Sequence, residues 1–169
     1  MKRITAILNF WFGDPQDIAG THGQPRKIWF SKKTKFDAEI KARFQADYAQ
    51  AATGQLDHWQ IAPDSCLALI LLLDQFPRHM FRGTPEAFTT DAKALTVAQM
   101  AIAQNFDQQL RPIQRIFFYY PLEHSENLEH QHQAVELLRS LCTHHINAPT
   151  IPKLIPKAIT LCTSAGRSS

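Results

Sequence analysis

CLALILLLDQFPRHMFRGTPEAF, residues 66–88, decides the fold. Its first eight residues are apolar on every side. A helix that is greasy all round belongs at the centre of a core, with other helices packed about it. The run then changes abruptly. Asp74, Gln75, Arg78, His79 and Arg82 follow, with Phe76, Pro77, Met80 and Phe81 between them. Pro77 disfavours helical geometry at Phe76, so the reading predicts a stop or a kink there. Upstream, Pro63 suits a first helical turn and Asp64 its positive end.

Outward from this centre the chain reads as helix after helix. Residues 4–12 predict a short buried helix ending at Gly13, and Trp29 and Phe30 anchor the chain after a polar loop. Phe36, Ile40, Phe44 and Tyr48, spaced by four, predict an amphipathic helix over 34–52. Thr84, Pro85 and Glu86 are a start signal for a helix over 85–103 with a break near Thr89–Asp91, and Asn105 suits a left-handed cap. The segment 111–126 predicts a helix interrupted before Pro121. Ser125 is expected to cap a last helix, 126–145, with Leu128, Val135, Leu138 and Leu141 on its apolar side. There are only two valines against many alanines, glutamines and leucines, which favours helix over sheet. The expected class is all-α: six or seven helices in antiparallel pairs, in one domain over residues 1–145.

The formal charge of +3 conceals an asymmetry. No acid follows Glu136, and residues 1–136 carry 14 basic against 15 acidic side chains. No basic stripe interleaved with aromatics is present, so no nucleic-acid partner is expected. Ala68–Leu73 is too short to span a bilayer, so no membrane role is expected either. Asn9 interrupts the apolar start and no small-residue cleavage site follows, which speaks against a signal peptide. Cys66, Cys142 and Cys162 fit neither a zinc motif nor a disulfide framework. The simple expectation is a soluble, cytoplasmic protein.

Two constellations carry chemistry. Asp74, Arg78 and Arg82 are successively four apart and share a side of any helix that survives the proline. They read either as a structural Asp74–Arg78 or Asp74–Arg82 bridge, or as an anion pocket. In the pocket reading one arginine neutralises Asp74, while the other, with His79, faces a phosphate or carboxylate and Gln75 lies beside them. The second constellation is LEHSE, residues 122–126. There His124 pairs with Glu126 or Glu123 as acid and base, while Ser125 is better read as a cap than as a nucleophile. Glu126, His130 and His132 have partial metal spacing, but they run around a solvated helix face, so no metal site is expected. No Gly-rich phosphate loop, CxxC, HExxH or GxSxG motif occurs, and no cofactor is expected.

Taken together, several blocks resemble a bacterial family of unknown function, DUF924. They are FWFG at 10–13, WF at 29–30, FDAEIKARF at 36–44, AATGQLDHW at 51–59, LALILLLDQFPRHMFRGTPEAFTTDAKAL at 67–95 and FFYYPLEHSENLEHQ at 117–131. The resemblance implies an all-α fold similar to tetratricopeptide-type helix pairs, and no activity. Two departures stand out. His79 occupies a position where the family usually has Asn; imidazole still donates a hydrogen bond but also gains charge near neutral pH. The family's C-terminal arginine- and histidine-containing helices are replaced after His145 by INAPTIPKLIPKAITLCTSAGRSS. A truncated or frameshifted product is therefore expected, with an aberrant, poorly ordered tail over 146–169. Its missing helices would leave on the order of several hundred Å2 of apolar surface uncovered.

The function expected from these residues is binding of a small anionic ligand, or an acidic peptide end, between the two motifs. Asp74, Gln75, Arg78, His79 and Arg82 would form the binding group, with His124 exchanging a proton. The alternatives are an acid–base hydrolase or lyase using His124 and Glu126, and a helical-repeat adaptor for partner proteins. Nothing in the sequence specifies an oligomer.

Overall fold

The structure is a computed structural model that describes residues 1–16 and 22–144. The expected tail falls on residues outside this range. The described residues contain helices and turns and no strand. α1 is Lys2–Phe12, α2 Thr34–Ala52, α3 Pro63–Ile70, α4 Phe76–Met80, α5 Asp91–Ala103, α6 Pro112–Glu123 and α7 Leu128–His144. Four single 3-10 turns, Lys27–Phe30, Asp57–Ile61, Pro85–Phe88 and Asp107–Gln109, join them. The predicted α2 boundaries coincide with the observed ones, and the break before Asp91 is present. Gly13 ends α1 with φ 91°, and Asn105 takes the left-handed conformation expected of it, with φ 56°.

α3 is central, as its all-apolar surface requires. Every residue from Cys66 to Leu73 is wholly buried. α3 packs on α1, α5 and α6, and its continuation packs on α2. Burying each such leucine or isoleucine contributes about 1.5–3 kcal/mol, so this helix is the main source of stability. Around its end lies an aromatic cluster in which Trp11 meets Trp29 at 5.7 Å, Phe76 at 5.5 Å and Phe117 at 5.7 Å. Trp29 is the anchor of its pair; Phe30 beside it is 52% exposed. Cys66 is a core residue whose thiol burial pushes up to about 12.

The predicted stop at Phe76 does not occur. α3 widens into a π-turn over Leu71–Gln75, with the Phe76 amide donating to the Leu71 carbonyl, and is followed directly by α4. Pro77 has no N–H to give, and the carbonyl four residues before it needs another donor. Thr90 supplies it: its hydroxyl donates to the buried Leu73 carbonyl at 2.5 Å. The proline is thus accommodated by a wider turn behind it and a hydroxyl from the start of α5. α6 likewise runs through Pro121 instead of breaking before it.

The start of α7 also differs from expectation. The helix begins at Leu128, and the Asn127 side chain accepts the Glu129 amide at 2.8 Å, so Asn127 takes the capping place assigned to Ser125. Leu128, in the first turn, is 54% exposed and is not part of the apolar side, whereas Val135, Leu138 and Leu141 are buried.

Candidate functional site

The π-turn, α4 and the end of α6 bring the two motifs together. Asp74 is wholly buried and collects three donors. His124 Nδ1 lies 2.7 Å from Oδ1, Arg78 Nη2 donates to the same oxygen at 3.3 Å, and the Gln75 amide donates to Oδ2 at 2.6 Å. Arg78 Nη2 also donates to Asp91 on α5 at 2.9 Å, and the guanidinium lies 5.1 Å over the Phe88 ring. The His124 ring stacks on Tyr120, centroids 5.9 Å apart, and keeps 28% of its side chain exposed. Its Nδ1–H points at a carboxylate, so Nε2 is the nitrogen left for a ligand.

A second group sits one helical turn further on. His79 Nδ1 lies 2.7 Å from Asp37 Oδ1 on α2. Arg82 grips the same carboxylate with two nitrogens, Nε at 2.8 Å and Nη2 at 3.0 Å. Arg82 therefore pairs with Asp37 and not with Asp74, while the Asp74–Arg78 bridge does form.

The electrostatics follow from burial and neighbours. Burial would push the Asp74 carboxyl up, but His124 and Arg78 outweigh it and hold the group below its ordinary value. Burial disfavours the His124 imidazolium, yet contact with Asp74 prevails and raises its pKa, against opposition from Arg78. For His79 burial wins: the pKa falls despite Asp37, and Arg82 adds to the fall. Asp91 is raised by burial and by Asp74. Glu123 is raised by burial, and its Oε2 has no partner among the described residues.

Between the groups lies a cavity of about 210 Å3. Gln75, Arg78, His79, Arg82 and His124 border it, together with the aromatic rings of Trp29, Phe30 and Tyr120. A wider opening of about 810 Å3 lies on the other side of Arg78 and His124 and includes Asp91, Phe88, Ser125 and Glu126.

The sequence profile of a family described as bacterial protein of unknown function, DUF924, matches residues 7–159. The chain belongs to the DUF924 family. A solved protein of unknown function from Agrobacterium tumefaciens is similar to it at 38% identity, with a TM-score of 0.74, over 83% of this chain and 74% of that one. No protein with a curated description matches the chain.

In this DUF924 chain Gln75, Arg78, His79 and Arg82 share one cavity with His124; Asp74, also expected to bind, is wholly buried and does not border it, and Glu126 is exposed and makes no hydrogen bond to His124. The imidazole is oriented by Asp74 instead of by Glu126 or Glu123. Ser125 is no nucleophile for His124: its hydroxyl contacts His130 Nδ1 at 2.9 Å and accepts the Asn127 amide at 3.2 Å. His130 Nε2 is engaged by Gln99 at 3.1 Å, and the described residues hold no group of three metal-ligating side chains. Sequence reading missed Asp37 and Asp91. Each lies in the first turn of its helix, where an acid is expected simply to face the positive helix end. No helix among the described residues is long and apolar enough to cross a membrane.

Proposed function

We propose that this DUF924 protein binds a small anionic ligand, a carboxylate or a phosphate, free or at the end of a peptide. The observation that carries the reading is the cavity of about 210 Å3 bordered by Arg78, Arg82, His79, His124 and Gln75. Two distant stretches of chain contribute donors to one small hollow with aromatic walls, the general form of a small-molecule site. Arg78 and Arg82 each use Nη2 and leave Nη1 without a partner among the described residues. Asp74 and Asp37 hold the guanidinium groups in place, and His124 offers Nε2. Thermal unfolding followed with added phosphate and small carboxylates tests this. The melting temperature should rise with at least one of them, and the rise should vanish in Arg82→Ala. An unchanged melting temperature with every anion, or an equal rise in the variant, removes the reading.

A second reading, proton transfer on a bound substrate, is favoured by the Asp74–His124 contact at 2.7 Å. A buried carboxylate fixes the tautomer and orientation of an imidazole whose other nitrogen is left for a ligand, as general acid–base catalysis needs. The cavity border contains no serine, threonine or cysteine, which points to proton transfer and away from a covalent intermediate. Turnover in a broad hydrolase and lyase screen, lost in a folded His124→Ala variant, would favour this reading; turnover that survives the substitution counts against it.

A further inference from the structure

The arginines of the cavity are already matched by acids. Both Asp37 oxygens hold Arg82, at 2.8 and 3.0 Å. Arg78 serves two carboxylates through one nitrogen, Asp74 at 3.3 Å and Asp91 at 2.9 Å. Two guanidinium charges thus face three aspartates, and these fixed groups leave one negative charge over. An anion gains little Coulomb energy from such a set, whatever the number of arginines near it. The balance turns only when a histidine takes a proton.

The two histidines are not equivalent in this respect. Arg82 Nη2 lies 3.2 Å from His79 Nδ1, and the His79 side chain is only 4% exposed, so a second cation there is opposed twice. His124 is the one with room to carry charge. Asp74 faces it from the π-turn, Asp91 from α5, Glu123 and Tyr120 from α6, and Arg78 alone opposes from α4. On the side leading to α7, Glu126 borders the same opening and His130 is turned to Ser125. The Asp74 contact holds the imidazole protonated above its ordinary range.

We infer that the cavity selects a small monocarboxylate with a flat apolar body over a phosphate dianion, and holds it only while His124 carries a proton. The inference rests on the anion-binding reading above. With His124 charged, three cations no more than match Asp37, Asp74 and Asp91, and Glu123 adds a further acid, so a dianion is opposed more than a monoanion. The rings of Trp29, Phe30 and Tyr120 give an apolar body something to cover, which inorganic phosphate lacks.

Calorimetric titration of the full chain with benzoate and with inorganic phosphate, from about pH 6 to about pH 9, decides the matter. Compared where His124 is still protonated, and with phosphate counted by its dianion fraction, benzoate should bind at least about tenfold more tightly than phosphate. Its affinity should be level below the His124 pKa and fall about tenfold per pH unit above it. That pKa, read independently from imidazole NMR signals, should rise when benzoate is added. In His124→Gln, checked for folding by circular dichroism, benzoate binding should be weaker and flat with pH. The wild-type pH profile stands without the variant. Equal affinity for the two anions, or a benzoate affinity unchanged across the range, overturns the inference and leaves an anion site standing. No binding of either anion overturns the inference together with the site.

Discussion

Asp37 and Asp74 each grip one imidazole and one guanidinium, in both cases with a carboxylate oxygen 2.7 Å from a histidine Nδ1. The arginine is His79's neighbour Arg82 in one group and Arg78 in the other. What differs is which member is buried. Asp74 is 1% exposed and His124 28%, whereas Asp37 is 16% exposed and His79 only 4%. The outcome is opposite: His124 is raised and His79 lowered from the ordinary histidine value. The same three residue types at the same separation give a charge-carrying imidazole where Asp74 and Glu123 both favour its charge, and a neutral one where Asp37 alone does and Arg82 lies beside the ring. Desolvation penalises both imidazolium forms, and the charges around each ring decide whether that penalty is overcome.

The strongest way to break this comparison is to remove each acid. Asp74→Ala leaves Gln75, Arg78 and a charged His124 facing a buried gap. Removing one member of a buried ionic group costs about 3–5 kcal/mol, because the others lose their compensation. Asp37→Ala frees a half-exposed Arg82 to water and leaves a neutral His79 without its partner. The expected loss there is about 1.5–3 kcal/mol, that of a hydrogen bond to a charged group. Urea unfolding of the two variants measures both. If Asp37→Ala costs as much as Asp74→Ala, the two groups are equivalent and burial has been given too much weight.

Part of this arrangement was legible in the sequence and part was not, for physical reasons. α2 was readable because Phe36, Ile40 and Phe44 repeat on one face and are buried there. The central helix was readable because nothing polar interrupts Cys66–Leu73. The local proline rule foresaw an interruption at Pro77 but not how the chain passes it. A π-turn and a hydroxyl 17 residues away in sequence supply what the local chain lacks. Helical spacing offered Asp74 either Arg78 or Arg82; the first pairing forms, and Arg82 goes to a distant partner that spacing could not supply. Asp37, 45 residues from Arg82, reads from sequence as an ordinary first-turn acid. Long-range clamps of this kind leave no periodic signal, so Asp74 was visible beside Arg78 whereas Asp37 and Asp91 were not.

A subtler way to sharpen the comparison is pH. His124 has its folded pKa raised above the ordinary 6.5. Its contribution to stability is full below that value and is lost as pH rises through the folded pKa. His79 has its folded pKa lowered from the same 6.5. Between its folded pKa and 6.5 the unfolded chain binds the extra proton, so its contribution is present above 6.5 and is lost as pH falls. The two histidines therefore confine their combined effect to a maximum near the ordinary histidine value. Stability measured against pH should lose its alkaline decline in His124→Gln and its acid-side decline in His79→Gln. A single histidine substitution that flattened both sides would mean the two groups titrate as one.

The smallest expected effect concerns a difference between the arginines themselves. Arg78 lies over the Phe88 ring at 5.1 Å, and Arg82 has no such ring beneath it among the described residues. Phe88 is 58% exposed, so the attraction acts close to water and is worth about 0.5–1 kcal/mol. Phe88→Ala should reduce stability by no more than that, because Asp74 and Asp91 still fix the guanidinium. It should also leave the His124 pKa unchanged, since the ring borders the wider opening and not the Asp74 contact. A shift of the His124 NMR titration in this variant would show that Phe88, and not the two acids, sets where the Arg78 charge lies. The contrast between the two aspartate groups would then depend on an exposed ring as much as on burial.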